Sequence, residues 1–428
     1  MIKFLSKIKV ILTIPFFVLV LLVPTVMSQA HVELPVDLEG TLNRADYKIR
    51  VPENWNGTLL VYAHGYYGEF PDEPDAAPGG EAGEITLLTM GYAVAGTSFR
   101  CTGWAVKEGI QNTLALTNFF RGKVGNPDRI ILWGFSMGSV IAFKSIEKYP
   151  NIYDGAIAGC AVGAGAPMNW DGALAFSLAY DVTFEWPSSW GSVGDVRDDL
   201  DFENDVFPVL LGQVTDPANF GLFEFIRLVS DLPLEGFYPD LSNFPPVIPP
   251  NWLFTDMIYA TEYRAELERR AKGPVAQNLD HFYSLDPEEI AYLATPPLLI
   301  NAPVLLAAMN ATTIEARLPS RKYMERYSDY SGNLKRPVIT IHNKEDGLVH
   351  VANESVYRDT VFSAGKEDML VQVYVDSVGH CDFTPEQILA VLVAMENWID
   401  TGIKPPEWFF LLLELGFVPG LWPPWPFW

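Results

Sequence analysis

Arg129-Ile130-Ile131-Leu132-Trp133-Gly134-Phe135-Ser136-Met137-Gly138 is the stretch that decides the fold of this chain. The apolar run before Gly134 reads as a buried strand, and residues 140–149 after it read as a helix. Between them stands Gly-x-Ser-x-Gly. A strand that reverses sharply into a helix leaves no room for side chains beside the serine, so glycines flank it and the serine backbone is strained. That context turns a short, common pentapeptide into a nucleophile elbow, with the Ser136 hydroxyl raised at the C-terminal edge of a sheet above a helix N-terminus.

Upstream, Thr58-Leu59-Leu60-Val61-Tyr62-Ala63 is a second buried-strand pattern, and it ends in His64-Gly65-Tyr66-Tyr67-Gly68. Downstream, Arg336-Pro337-Val338-Ile339-Thr340-Ile341-His342 reads as a strand running into Asn343-Lys344-Glu345-Asp346-Gly347. A last strand, Met369-Leu370-Val371-Gln372-Val373-Tyr374-Val375, leads to Gly379-His380.

These parts, in this order, resemble the α/β-hydrolase family over about residues 59–160 and 337–401. The resemblance implies a mainly parallel sheet with helices on both faces. It also implies a nucleophile at Ser136, an acid at Asp346 with Glu345 as its rival, and a base at His380. The oxyanion donors would be the backbone N–H groups of Met137 and of Tyr66, with Tyr67 close behind. Six histidines are present, His31, His64, His281, His342, His350 and His380. Only His380 has both the right place in chain order and a preceding glycine. His350, just past the acid loop, competes with it, while His64 and His342 read as structural. No cofactor is implied, and no Cys-x-x-Cys or histidine cluster suggests a metal.

The chain of 428 residues carries a net charge of −24. Nucleic-acid binding needs a basic footprint, so it is disfavoured, and an anionic membrane surface would repel this protein. Lys3, Lys7 and Lys9, then an apolar run over residues 10–23, then Ser28-Gln29-Ala30, form a secretory signal-peptide pattern. The run is shorter than the roughly 20 residues of a spanning helix, which favours cleavage over anchoring. The expected location is secreted or periplasmic.

Cys101, Cys160 and Cys381 each follow or end an expected strand. Two readings stay open: one oxidised pair with one cysteine left over, or small buried free thiols. Gly379-His380-Cys381 resembles the C-terminal motif of secreted tannase and feruloyl-esterase proteins. The likeness breaks at Phe135, where those proteins have a cysteine, so their disulfide does not transfer.

Strands alternate with helices up to about residue 162 and again from 336 to 405, forming the expected core; residues 1–30 are set apart as the signal peptide. Residues 69–84, rich in Pro, Gly and acids, read as a surface loop near the mouth of the site. Residues 163–335 break the alternation and read as a helical cap, whose many aromatics either line an apolar pocket or fill the cap's own interior. The tail, 406–428, is rich in Trp, Phe and Pro. It packs on the body, seals a dimer or dips into a lipid interface, the last being the sole expected route to membrane contact. Nothing in the sequence sets the oligomeric state.

The expectation is thus a secreted serine hydrolase that cleaves small apolar or aromatic carboxylic esters through an acyl-enzyme. An amidase or aminopeptidase with the same residues is the alternative. A non-catalytic binding protein on the same fold is a second.

Overall fold

The computed structural model describes residues 33–239, 251–420 and 423–425. The expected signal peptide and the last residues of the tail lie outside them.

A nine-stranded sheet forms the centre. Its strands are β1 (Val36–Leu42), β2 (Ala45–Val51), β3 (Thr58–Ala63), β4 (Ala93–Thr97), β5 (Arg129–Phe135), β6 (Gly155–Gly159), β9 (Val338–Glu345), β10 (Leu370–Val378) and β11 (Phe417–Val418). A separate two-stranded ribbon, β7 (Gly191–Ser192) with β8 (Asp195–Val196), sits in the long segment between β6 and β9. The order across the sheet is β1-β2-β4-β3-β5-β6-β9-β10-β11. All pairs from β4 to β10 are parallel, while β1-β2, β2-β4 and β10-β11 are antiparallel.

Two cores flank the sheet, and the period-two geometry of a strand divides the residues between them. Leu59, Val61, Ile130 and Leu132 pack with Leu116 and Phe120 of α2 (Val106–Lys123), with Phe143 and Ile146 of α3 (Met137–Lys148), and with Tyr357 of α12 (Ala352–Ser363). Leu60, Tyr62, Ile131 and Trp133 point the other way. They meet Leu87 of α1 (Gly80–Thr89) and Leu392, Met395 and Trp398 of α13 (Pro385–Thr401). Each such buried apolar side chain contributes about 1.5–3 kcal/mol. Burial on both faces is why these strands read as unbroken apolar runs. The middle strand β6, Gly-Ala-Ile-Ala-Gly, is small because α13 lies close: a Cβ on Gly155 would come within 2.5 Å of the Met395 sulfur.

Between β6 and β9 the chain forms α4 (Gly165–Phe184), α5 (Phe207–Val214), α6 (Phe220–Val229), α7 (Trp252–Ile258), α8 (Arg264–Ala271), α9 (Pro287–Ala294), α10 (Ala302–Ala311) and α11 (Leu318–Ser328). A π-helical turn, Tyr259–Tyr263, joins α7 to α8. The aromatics of this insertion chiefly pack on one another. Trp170 stacks on Tyr259 at 4.1 Å and meets Trp104 edge-on, and Tyr180 stacks on Trp190 at 5.8 Å.

β1 and β2 form a hairpin, because Asn43 and Arg44 both take positive φ and turn the chain. Residues 69–84 are not all surface loop. Ala76, Ala77 and Glu84 are buried, and Glu84 accepts hydrogen bonds from the Ala76 N–H at 2.9 Å and from Arg50 at 3.0 Å. In the tail, α14 (Glu407–Leu411) and β11 pack on the body: Phe410 and Phe417 are buried, and β11 pairs with the outer edge of β10. Among the described residues no helix is long and apolar enough to cross a membrane.

A buried, two-pronged ion pair ties α11 to α4, with Arg321 Nη1 and Nη2 donating to the two Asp171 oxygens at 2.8 and 2.7 Å. Burial still pushes the Asp171 carboxyl up to about 6, against the pull of the guanidinium. Arg321→Ala leaves that carboxylate buried and unpaired, and should destabilise the protein by about 3–5 kcal/mol in urea unfolding.

Candidate active site

The elbow is built by backbone crowding. Ser136 sits between β5 and α3 at φ 55° and ψ −127°, a conformation that costs a non-glycine residue about 1–3 kcal/mol. A Cβ on Gly134 would lie 2.1 Å from the Gly138 carbonyl oxygen, and one on Gly138 would lie 2.0 Å from that of Ala63. No side chain fits at either position. The Ser136 N–H donates to Gly159 O at 3.0 Å. Ser139 secures the far side: its N–H and hydroxyl both donate to Ser136 O, and its Oγ accepts the Val162 N–H at 2.9 Å.

His380 and Asp346 come from the loops after β10 and β9. His380 Nε2 is 2.8 Å from Ser136 Oγ, and Nδ1 is 2.8 Å from Asp346 Oδ2. Nδ1–H therefore donates to the carboxylate, and Nε2 is left to accept the serine proton. The other Asp346 oxygen accepts the N–H groups of Leu348 and Val349 at 3.0 and 2.9 Å. Burial works against the Asp346 charge, but His380, His342 and these amides outweigh it and hold the carboxyl below its usual range. Glu345 remains the last residue of β9, and its carbonyl accepts the Gly379 N–H at 3.0 Å, which ties the two loops together. It is Asp346 and not Glu345 that meets the imidazole.

The other histidines take different places. His64 is buried between the rings of Tyr67 and Phe99, at 4.1 and 3.9 Å, with Nδ1 2.7 Å from Gly65 O. Burial lowers its pKa to about 4, so the ring is neutral. His342 is buried beneath the acid loop, its Nε2 2.8 Å from Val349 O and its Nδ1 3.1 Å from Glu354. Burial opposes a charge there, yet the Glu354 and Asp346 carboxylates raise its pKa above the ordinary value. His350 lines a separate cavity of about 20 Å³ with Asp256, Ser230 and Trp425, away from Ser136.

Gly65 passes directly over the serine: a Cβ there would lie 3.5 Å from Ser136 Cβ and 3.5 Å from Phe135 O. Tyr66 follows at once, and Met137 opens α3, where the first amides of a helix have no intrahelical acceptor.

Cys381 is joined to Cys160, at the end of β6, while Cys101 is free. The bond anchors the residue beside His380 to the strand beside the elbow. Sequence alone left this pairing open, since the partners are 221 residues apart.

Ser136 and His380 open into a cavity of about 620 Å³. Tyr62, Trp133 and Phe135 line its floor, Ala82, Gly83 and Thr86 of α1 one wall, and Ile388 and Leu389 of α13 another. From the insertion only Tyr263 is among the described lining residues; its ring stacks on Tyr66 at 4.0 Å. Of the two readings open for the insertion's aromatics, most fill its own interior, and Tyr263 is the described one that reaches the cavity. The lining from α1 was missed because its run of Gly and Pro looks like a loop.

A parallel, doubly wound sheet carrying Ser136 on a strained strand-to-helix turn, with an acid and a histidine arriving after later strands in that chain order, settles the architecture. The chain has the α/β-hydrolase fold. No family model matches it. A curated relative, the o-phthalyl amidase of Xanthobacter agilis, is 24% identical over 420 residues, covering 88% of this chain and 89% of its own length. Among solved structures, feruloyl esterase B from Aspergillus oryzae aligns at 13% identity and a TM-score of 0.42, over 86% of this chain and 80% of that one. A carboxyl esterase from Bacillus coagulans aligns at 12% identity and a TM-score of 0.41, over 85% and 96%. A proline iminopeptidase from Mycobacterium smegmatis aligns at 14% and 0.40, over 86% and 99%. At these values the fold rests on the strand order and the elbow.

The chain-entropy model gives a cross-link of this span a contribution of about 5 kcal/mol. The double variant Cys160→Ser/Cys381→Ser should therefore unfold at a clearly lower urea concentration than the native chain, and reductant should shift the native chain toward it. Cys101→Ser should show the native midpoint.

Proposed function

We propose that this protein is a serine hydrolase that cleaves carboxylic esters of small apolar or aromatic compounds, and that it works outside the cytoplasm. The observation that carries the reading is the chain of 2.8 Å contacts from Ser136 Oγ through His380 to Asp346, at the wall of an apolar cavity.

In this reading Ser136 attacks the carbonyl while His380 Nε2 takes its proton. Asp346 keeps the imidazole in the tautomer that presents Nε2 as acceptor, and offsets the charge that develops on the ring. The N–H groups of Met137 and Tyr66 receive the oxyanion, each worth about 10²–10³ in rate. His380 then gives the proton to the departing alcohol, and a water activated by the same nitrogen releases the acyl group. The strained Ser136 backbone fits a nucleophile held by its surroundings in one pose. A Cys160–Cys381 disulfide suits an oxidising compartment, which supports export through the basic and apolar N-terminal segment.

An amidase with the same residues is the second reading, and the likeness to the o-phthalyl amidase favours it. Attack and oxyanion binding are common to both. They differ in how strongly the leaving group must be protonated, a task for His380 in either case.

A fluorophosphonate probe should label the native protein and fail to label Ser136→Ala. Asp346→Asn should keep the fold and lose about 10⁴-fold in turnover through the wrong histidine tautomer. A panel of p-nitrophenyl esters and matched anilides then separates the readings. Ester turnover lost in Ser136→Ala supports the esterase, and turnover of anilides alone moves the protein to the amidase. Probe labelling undiminished in Ser136→Ala would overturn the assignment of the nucleophile.

A further inference from the structure

The described residues that line the Ser136 cavity include no Asp, Glu, Lys or Arg. Apart from Ser136 and His380, the side-chain N and O atoms of its described lining residues are the hydroxyls of Thr86 and of the tyrosines 62, 66 and 263, and the indole N–H of Trp133, a neutral donor with no hydrogen-bond partner among the described residues. A carboxylate on a bound substrate would thus lose its water and find no cation, and an unpaired buried charge is costly.

The surroundings make this worse for an anion. The charges of Glu266 and Glu262 act on Tyr66, and that of Asp75 acts on Tyr62 and Tyr67. The cation facing this wall, Arg270, is already committed. Its Nη2 donates to Glu266 and to Thr102 O, both at 2.6 Å, and Glu266 in turn accepts the Trp104 N–H at 2.8 Å. The guanidinium is locked to the loop after β4 and is absent from the lining.

The shape of the cavity indicates where the substrate lies. Pro78, Gly79, Ala82 and Gly83 leave a slot beside α1, closed on the opposite side by Pro385, Ile388 and Leu389 at the start of α13. A larger residue at Gly83 is barred, since its Cβ would lie 2.0 Å from Pro78 O. Tyr263 reaches the same cavity from the π-helical turn, with its ring stacked on Tyr66.

We propose that the slot between α1 and α13 holds an uncharged apolar or aromatic arm of the substrate, that Tyr263 closes over it, and that substrates carrying a carboxylate on that arm are excluded. This inference rests on the ester-hydrolase reading and narrows its substrate class.

The test compares a benzoate ester with the same ester bearing an ortho- or para-carboxylate on the benzoyl ring, at matched leaving group, using the full-length mature protein. The neutral ester should show a kcat/KM about 10² or more above the carboxylated ones, as expected when a buried charge is left without a partner. Added salt should narrow that gap only in part, because salt screens the outer glutamates far better than it screens the slot. Thr86→Lys should raise the carboxylated-to-neutral ratio at least tenfold. Ala82→Phe should reduce turnover most for the bulkiest neutral esters and least for the acetate, and Tyr263→Ala should raise KM for aromatic esters more than it lowers kcat. Equal kcat/KM for neutral and carboxylated esters, with turnover still dependent on Ser136, would overturn this inference and leave the esterase standing. Failure of every ester would remove the esterase reading and this inference with it.

Discussion

Three backbones meet at the turn from β5 into α3, and the close approach there governs the rest of the molecule. Gly138 lies against the carbonyl of Ala63, and Gly134 against that of Gly138, at separations that no Cβ tolerates. This contact seats α3 on β3 and β5 and forces Ser136 to positive φ. It also brings the chain after β3 across the serine at Gly65. The strain at one residue is held by the large apolar surfaces on either side of the sheet, which would separate if the turn relaxed.

The histidine and the acid depend on the same sheet from the other direction. β9 and β10 run parallel beside β6, so their C-terminal loops emerge on the edge that carries Ser136. The loops then hold each other. Gly379 donates to Glu345, Asn343 Nδ2 donates to Asp382 O at 2.9 Å, and Cys381 is bonded to Cys160. Under the acid, Gly347 lies against the Trp252 ring of α7, where a Cβ would come within 2.3 Å. The insertion thus supports the site from behind more than it lines the cavity. Its aromatics fill its own interior, and its one described contribution to the lining, Tyr263, comes from a π-helical turn.

Much of this was legible in the sequence where local physics is decisive. Apolar runs marked β3, β5 and β10. The run at residues 69–84 was not legible. Its Pro, Gly and acids signal a loop, yet Glu84 is buried because Arg50 and Lys48, distant in sequence, neutralise it. The resemblance put Asp346 ahead of Glu345 but left the neighbour as a rival. The strand continues through Glu345, so only the residue after it is released to turn toward the imidazole.

The sequence by itself determined the sheet class, the elbow and the chain order of serine, acid and histidine, because each is encoded in a few consecutive residues whose sterics and burial pattern allow little else. The tertiary structure decided that Asp346 and not its rival Glu345 reaches His380, which cysteines join, that α1 and α13 form cavity walls, and that the described lining residues include no Asp, Glu, Lys or Arg. Each of these depends on groups dozens to hundreds of residues apart being brought within a few ångströms, and a single sequence read in short windows does not record such distances.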